Sequence, residues 1–291
     1  LTLVTAEVAE RYGYVLWNHG GSSDEIFERG YRWTVGIISA ASQYLVAVLE
    51  LLRSVEPALS KVTLFAAKTG FASQVAAGAL AWIERAGLER TAVRFYETGI
   101  NDFEPLLAGI EDDPPDVLVG VGRFEDDLLL GRQLAELKPR IKAVAVVGAA
   151  VGEFGRVLGR ASDGFFGPSQ WEPQVAHAVD CGPTGREFVA SYARATRASL
   201  DYPAAQGYAA GLVATRCIEE AASLDQSALR EAAGRLHCTT FYGPFTIDPL
   251  SGRQIAHSLL VTQWQSGARK VVWPPAIAET QPNYPAPPGR G

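Results

Sequence analysis

Between residues 62 and 148 the chain alternates short, continuous apolar runs with longer stretches in which apolar residues recur every three or four positions. The continuous runs are VTLFAA (62–67), AVRFY (92–96), DVLVGVG (116–122) and KAVAVVG (142–148). The third and fourth are nearly continuous in apolar residues, which suits strands covered on both faces. Between the first two, Val75, Ala79, Trp82 and Ile83 share one face of a helix that Gly87 is placed to stop. Phe103, Leu106, Leu107 and Ile110 form a second stripe, with Asn101 as N-cap and Glu104 reaching back. Leu130, Leu134 and Leu137 form a third. Strand and helix alternating at this period predict an α/β fold with a parallel sheet and right-handed crossovers.

The flanks read differently. AEVAERYG, YVLW and YRWTVGI predict one helix and two strands, and ASQYLVAVLELLRSV a strong helix leading into the parallel sheet. From residue 184 to 236 three consecutive helices follow with little strand signal, and TFYGPFTIDPLSGRQ then carries the Gly, Pro and Asp punctuation of turns. AHSLLVTQWQSGARKVVWP predicts a β-hairpin closed at Ser266-Gly267, and the Pro-rich end an extended strap or tail. Two strands and one helix cannot bury a core at the N-terminus, whereas the three late helices need a sheet to pack on. A first lobe built from discontinuous pieces resolves both: residues 1–39 with 175–248, incomplete for want of opening βαβ units. Residues 40–174 with 249–275 then form the second lobe, and 276–291 the tail.

Composition narrows the function. The chain has 291 residues, 47% hydrophobic and 20% charged, and no apolar run long enough to cross a bilayer. Net charge is −6, with no Lys/Arg cluster interleaved with aromatics, which argues against nucleic acid as a partner. Cys181, Cys217 and Cys238 lie far apart without CxxC spacing, so neither a disulfide framework nor a zinc site is legible. The chain begins at Leu1 without a signal-peptide pattern and contains no methionine, so it reads as a processed or partial chain.

WNHGGSSDEIFERG (17–30) is the stretch most suggestive of a site. An apolar strand runs into two glycines and two serines ahead of an acidic helix start. Glycine lets backbone approach a ligand closely, and N–H groups at a helix start favour an anion. A plain strand-to-helix turn capped by Ser22 or Ser23 accounts for the same residues. Enzyme motifs are missing: GGSSDE lacks the final glycine of G-x-S-x-G, and no histidine is placed by a motif. VGVGRFED is not G-x-G-x-x-G and there is no G-K-[ST], so no nucleotide cofactor is expected. EDDPPD reads as a solvated turn, and FEDD as a helix start whose acids face the dipole, with no carboxylate pair shielded enough for acid/base work.

Taken in order, several segments resemble the branched-chain-amino-acid type of periplasmic substrate-binding proteins of ABC transporters. They are AEVAERYGYVLWNHGGSSDEIFERGYRW, GINDFEPLLAGIEDDPPDVLVGVGRFEDDLLLGRQLAEL, GFFGPSQWEP, EFVASY, YAAGLV and YGPFTIDPLSGRQ. The resemblance covers nearly the whole chain. It implies a type I periplasmic-binding fold with two lobes and several interlobe crossovers. It also implies a small-molecule ligand held between the lobes, an ABC permease as partner, no cofactor, and a periplasmic or surface-anchored location. The part of the first lobe that bears the family's carboxylate-binding serine loop has no counterpart here. The same fold also serves as the ligand-sensing half of regulators, including cytoplasmic amide sensors.

Carried over by resemblance, Gly20 offers a backbone carbonyl to a ligand ammonium and Ser22 a hydroxyl and N–H to its carboxylate, with Gly21 between them. In the second lobe the loops KTGFA and RFEDD follow the C-terminal ends of parallel strands, where open α/β sheets bind ligands. They supply Thr69, Phe71 and Phe124, the two phenylalanines as aromatic walls, and Arg123, whose guanidinium can clamp a carboxylate. In GAAVGE the family's amine-binding carboxylate is replaced by Ala150 or Val151, and Glu153 comes two or three residues late. That departure leaves room for a carboxylate or aromatic acid in place of an α-amino acid. Gln206, Tyr208 and Trp171 are further candidates at the cleft edge or hinge.

Overall fold

The computed structural model describes residues 1–198 and 200–286; residues 287–291 of the expected tail lie outside the described residues. The chain divides into two compact units: Leu1–Ala40 with Gln170–Ser258, and Ala41–Ser169 with the segment from Leu259 onward. Along the chain the first unit opens with α1 (Thr2–Tyr12), β1 (Leu16–Asn18), α2 (Glu25–Glu28) and β2 (Thr34–Gly36). The second unit follows with α3 (Tyr44–Val55), β3 (Lys61–Ala67), α4 (Gly70–Arg85), β4 (Glu89–Tyr96) and α5 (Glu104–Leu107). It continues through β5 (Val117–Val121), α6 (Phe124–Leu137), β6 (Ala143–Val146), α7 (Gly152–Leu158) and β7 (Phe166–Ser169). The chain returns to the first unit for α8 (Gly185–Ala195), α9 (Tyr202–Ala221), α10 (Gln226–Arg235), β8 (Cys238–Thr240) and β9 (Gly243–Phe245). It closes in the second with β10 (Leu260–Gln265) and β11 (Ala268–Trp273).

The second unit is the expected α/β layer. Its seven-stranded sheet has the order β11-β10-β7-β6-β5-β3-β4, parallel from β7 to β4. β3, β5 and β6 are buried along almost their whole length, as continuous apolar runs require. Val48 and Leu52 of α3, Ala72 and Val75 of α4 and Leu134 of α6 belong to the same buried cluster as Phe65, Val119 and Val144. The β10–β11 hairpin turns through Ser266 and Gly267, both at positive φ (52° and 78°). Positive φ at both central residues is the condition for a two-residue turn that follows the strand twist. The extended end lies along this unit: Asn283 exchanges two hydrogen bonds with the Gln263 side chain, and the Ala286 N–H donates to Lys142 O (2.7 Å).

One helix start differs from expectation. The stripe Phe103, Leu107 and Ile110 is buried, but α5 is a single turn whose N-cap position is Phe103, not Asn101; Asp102, just before it, accepts from the Glu104 N–H at 2.8 Å. Asp102 is the better placed because its carboxylate also receives the Gln133 side-chain amide (2.7 Å), which fixes its rotamer.

In the first unit β1 and β2 form a two-stranded parallel sheet and β8 and β9 an antiparallel pair, with α8, α9 and α10 as the expected consecutive helices. Its core centres on Trp171, Phe188 and Phe241, with Ala205, Ala209 and Val213 of α9. Where this unit ends, near Ala40, Gln170 and Ser258, three segments are hydrogen-bonded together. The Ser39 N–H donates to Gln170 Oε1 (3.1 Å), Gln170 Nε2 donates back to Ser39 O (3.2 Å), and Ser39 Oγ meets His257 Nδ1 at 2.7 Å.

Candidate functional site

In the first unit the candidate residues follow β1. Asn18, the last residue of that strand, is buried and holds the loop from below. Its Nδ2 donates to Gly21 O (2.7 Å), and its Oδ1 accepts from the Gly21 N–H (2.8 Å). Thr2 of α1 packs so closely on Gly21 that a side chain there has no room. Gly21 is therefore a structural glycine whose two backbone groups are already engaged. Gly20 remains exposed, with Gln206 of α9 beside it, and His19 lies beside Gly207. Gln206 is 7% exposed and its Oε1 is buried without a hydrogen-bond partner among the described residues. Ser22 is also buried and makes no hydrogen bond to a described residue.

The helix after this loop is shorter than the dipole argument needs. α2 has one turn, and the Asp24 carboxylate before it pairs with Arg253 at 2.5 Å. A macrodipole builds from aligned peptides over several turns, so an anion here would rely on Ser22 itself. Tyr208 is 49% exposed and rests its ring against Phe188 (5.0 Å) and Phe241 (5.9 Å). Trp171, a candidate at the cleft edge or hinge, is a core residue: it is 1% exposed, with its indole N–H donated to Phe241 O (3.1 Å). A large indole saturated on both its apolar face and its donor has nothing to offer a ligand. A groove of about 800 Å³ between residues 173–177 and α8 is lined by none of the expected ligand residues.

In the second unit the candidates sit at the carboxyl ends of neighbouring strands. The chain passes from β3 outward to β4, then returns to the other side of β3 for β5, β6 and β7. The direction of winding thus reverses between β3 and β5, and a crevice forms outside strand ends at such a switch point. Thr69 and Phe71 follow β3; Arg123 and Phe124 follow β5. Thr69 caps α4 by accepting from the Ala72 N–H (3.1 Å), and Phe71 sets its ring edge-on to Tyr44 (5.5 Å). Phe124 is half-buried and Arg123 is exposed. The Arg123 guanidinium makes no ion pair or hydrogen bond with a described residue, unlike Arg253 or Arg156.

Two carboxylates support these loops from beneath. Asp126 accepts from the Arg123 N–H (3.1 Å) and the Gly99 N–H (3.3 Å), and Asp127 accepts from the Gly148 N–H (2.7 Å). The loops after β4, β5 and β6 are thereby tied together. Gly122 has no room for a side chain because the Tyr96 hydroxyl and Asp126 press on it. Two of the three FEDD acids are therefore shut off from solvent: Asp126 and Asp127 are each 2% exposed, whereas Glu125 is exposed. The expectation that no carboxylate pair is shielded from water is corrected here, and the reason is that both turn inward to satisfy loop N–H groups. Burial pushes the Asp127 carboxyl up to about 8. Burial, with the nearby Asp127 and Asp126 carboxylates, also raises the Tyr96 hydroxyl. An acid at the third position of a helix was the available sequence signal for Asp126; nothing local marked Asp127 or Asn18.

After β6, Val151 caps α7 with its backbone and has no acceptor side chain. Glu153 sits on the first turn of α7, paired with Arg156. Among the described residues no group of three or more His, Cys, Asp or Glu side chains is placed to hold a metal ion, and no helix is long and apolar enough to cross a membrane.

Residues 1–269 match the periplasmic binding protein family, and the chain belongs to that family, which binds solutes and does not turn them over. Its architecture is that of two-lobed periplasmic binding proteins. An amino acid ABC transporter substrate-binding protein from Pseudomonas fluorescens is 18% identical, with a TM-score of 0.80 over 93% of this chain and 74% of that one. A leucine-binding protein from Thermotoga maritima is 20% identical, with a TM-score of 0.77 over 92% and 75%. An ABC transporter solute-binding protein from R. palustris, solved with benzoate, is 16% identical, with a TM-score of 0.75 over 99% and 75%. At these identities the likeness is one of fold. The regulatory-sensor alternative is not favoured by these matches.

Proposed function

We propose that this protein is the extracytoplasmic receptor of an ABC importer and that its solute is a small organic acid, with aromatic acids ahead of α-amino acids. It would work in the periplasm or anchored at the cell surface, and deliver its solute to a membrane permease. The observation that carries the acid reading is the exposed Arg123 guanidinium, unpaired among the described residues, at the β3–β5 switch point. A planar guanidinium matches a carboxylate bidentately, and Phe71 and Phe124, in the first turns of α4 and α6, suit an aromatic ring. The loop after β6 supports the same choice. Val151 brings no acceptor for an ammonium group and Glu153 is held by Arg156. In the first unit, Ser22 and Gln206 are among the polar side chains that no described residue satisfies, as is Thr34 in β2; Ser22 and Gln206, which flank the glycine loop, are proposed as further ligand contacts, with Gly20 offering backbone and Tyr208 a ring.

A thermal-shift screen tests this reading, with benzoate, hydroxybenzoates and aliphatic carboxylates set against leucine, valine and polar amino acids. A ligand at about 100 times its Kd adds about 2.7 kcal/mol of stability. A shift with aromatic carboxylates and none with amino acids is the expected result. Shifts with amino acids alone would reverse the acid assignment, and shifts with amides alone would return weight to a sensor.

A further inference from the structure

We infer that Cys181 and Cys238 are the two halves of a disulfide, formed when the chain meets a thiol oxidant, and that Cys217 stays a thiol. The pair lies 57 positions apart in sequence, and the fold of the first unit brings it together. In the β8–β9 ladder, Cys238 and Thr240 face β9, opposite Phe245 and Gly243. Thr239 turns its backbone the other way, onto residues 180 and 181. Thr239 O accepts from the Asp180 N–H (3.0 Å) and the Cys181 N–H (3.2 Å), and the Thr239 N–H donates to Asp180 Oδ1 (2.7 Å). Residues 180–181 therefore run along the free edge of β8 at hydrogen-bonding distance. The Cys181 and Cys238 thiols lie within side-chain hydrogen-bonding reach of each other. Backbones held at strand spacing of about 4.8 Å, with side chains already facing, meet the reach of a disulfide.

Cys217 differs in its surroundings. It lies on α9, fully buried, near enough to interact electrostatically with Cys181 and Cys238, but it is the hydrogen-bonding partner of neither. Cys238 is the more accessible member of the pair. Burial pushes the Cys238 and Cys217 thiols up to about 12 and raises Cys181 as well, so little thiolate is present at neutral pH. Because attack on a disulfide needs the thiolate, closure is slow at neutral pH and quickens as pH rises; the oxidant is a disulfide, such as oxidised glutathione or a protein dithiol oxidant in its disulfide state. One cysteine of the pair attacks the oxidant's disulfide, which releases one thiol and leaves a mixed disulfide. The second cysteine attacks the protein sulfur of that bond and releases the other thiol. The pair loses two electrons and two protons, and the oxidant gains them as two thiols. The new bond staples the segment entering α8 to the β8–β9 hairpin and closes a long loop in the unfolded chain.

The test is to equilibrate the purified full chain in glutathione buffers from reducing to oxidising, quench with a maleimide, and read intact mass and peptides. The expected product has lost two hydrogens, contains a Cys181–Cys238 linked peptide, labels at Cys217 only after denaturation, and melts several degrees above the reduced form. C217A should give the same linked product, and C181A and C238A should not. Three free thiols in oxidising buffer, a persistent glutathione adduct, or a linked peptide containing Cys217 would each overturn the assignment. The wild-type peptide map decides the question even where a Cys181 or Cys238 variant fails to fold.

Discussion

The two units present their candidate residues in opposite ways. The second unit uses loops that leave adjacent parallel strands, and it holds them with buried carboxylates that accept backbone N–H groups. The first unit uses one glycine-rich loop, held by a neutral amide that both donates and accepts. A carboxylate brace is strong but dislikes burial as an anion, so it responds to protons; an amide brace does not. Among the buried titratable groups of the first unit is His257, away from this loop and near the unit's boundary, hydrogen-bonded to Ser39. Loop geometry can thus be set by either chemistry, and pH separates the two.

The largest expected effect breaks the first unit alone. Trp171→Ala should cost about 3–5 kcal/mol, as large-to-small core changes do, in a denaturant melt. Affinity measured on the folded fraction should hold, because Trp171 belongs to the core. A change in ligand specificity would restore it as a site residue.

Proton linkage comes next, with opposite signs. The Asp127 carboxyl is raised in the folded state from 3.8 to about 8, so folding takes up a proton between those values. Its contribution is fully present below pH 3.8 and is lost as pH rises through about 8. His257 is lowered from 6.5 to about 4, by burial and then by the neighbouring His177. Its contribution is present above pH 6.5 and lost as pH falls through about 4. Asp127→Asn should flatten the alkaline fall and His257→Gln the acid fall, each in melts from pH 4 to 8.5. If Asp127→Asn leaves the alkaline limb unchanged, the carboxylate is not the linked group.

Smaller effects sharpen the site. Arg123→Ala should raise the Kd for an aromatic carboxylate by roughly 10- to 100-fold, the range of a hydrogen bond to a charged group. It should leave the melting temperature of the free protein within about 1 °C, since an exposed and unpaired side chain adds little to stability. Ser22→Ala should weaken the same ligand less, and calorimetry on both variants ranks the two surfaces. Glu153→Ala should change neither affinity nor, beyond about 0.5 kcal/mol, stability, because its partner Arg156 is an exposed neighbour on one helix.

Legibility followed the range of the interactions. The four parallel strands, the helix over 70–85 and the hairpin turn at Ser266-Gly267 were readable because periodicity and turn chemistry act within a few residues. Family membership was readable because a series of weak segments kept its order over the chain. The helix start was misplaced by two residues: its N-cap is Phe103, and the side chain that holds the turn, Asp102, is oriented by Gln133, 31 residues away. Asp126 and Asp127 were read as helix-start acids facing the dipole and not shielded from water, because burial at a helix start depends on which loops fold over it. Asn18, Ser39 and His257 carried no local mark at all.

By itself, the order of apolar runs, stripes and turn residues determined the α/β class, most strand and helix positions and the ordered segments that name the family. Such patterns are set by the backbone's own periods of two and 3.6 residues, which each stretch obeys without knowing its neighbours. Only the tertiary structure decided that Gly21 is a packing glycine, that Asp127 lies under the loop after β6, that Arg123 has no partner among the described residues, and that Cys181 faces Cys238. Each of these depends on groups distant in sequence meeting at a few ångströms, and the free energy of a buried polar group is decided at that distance.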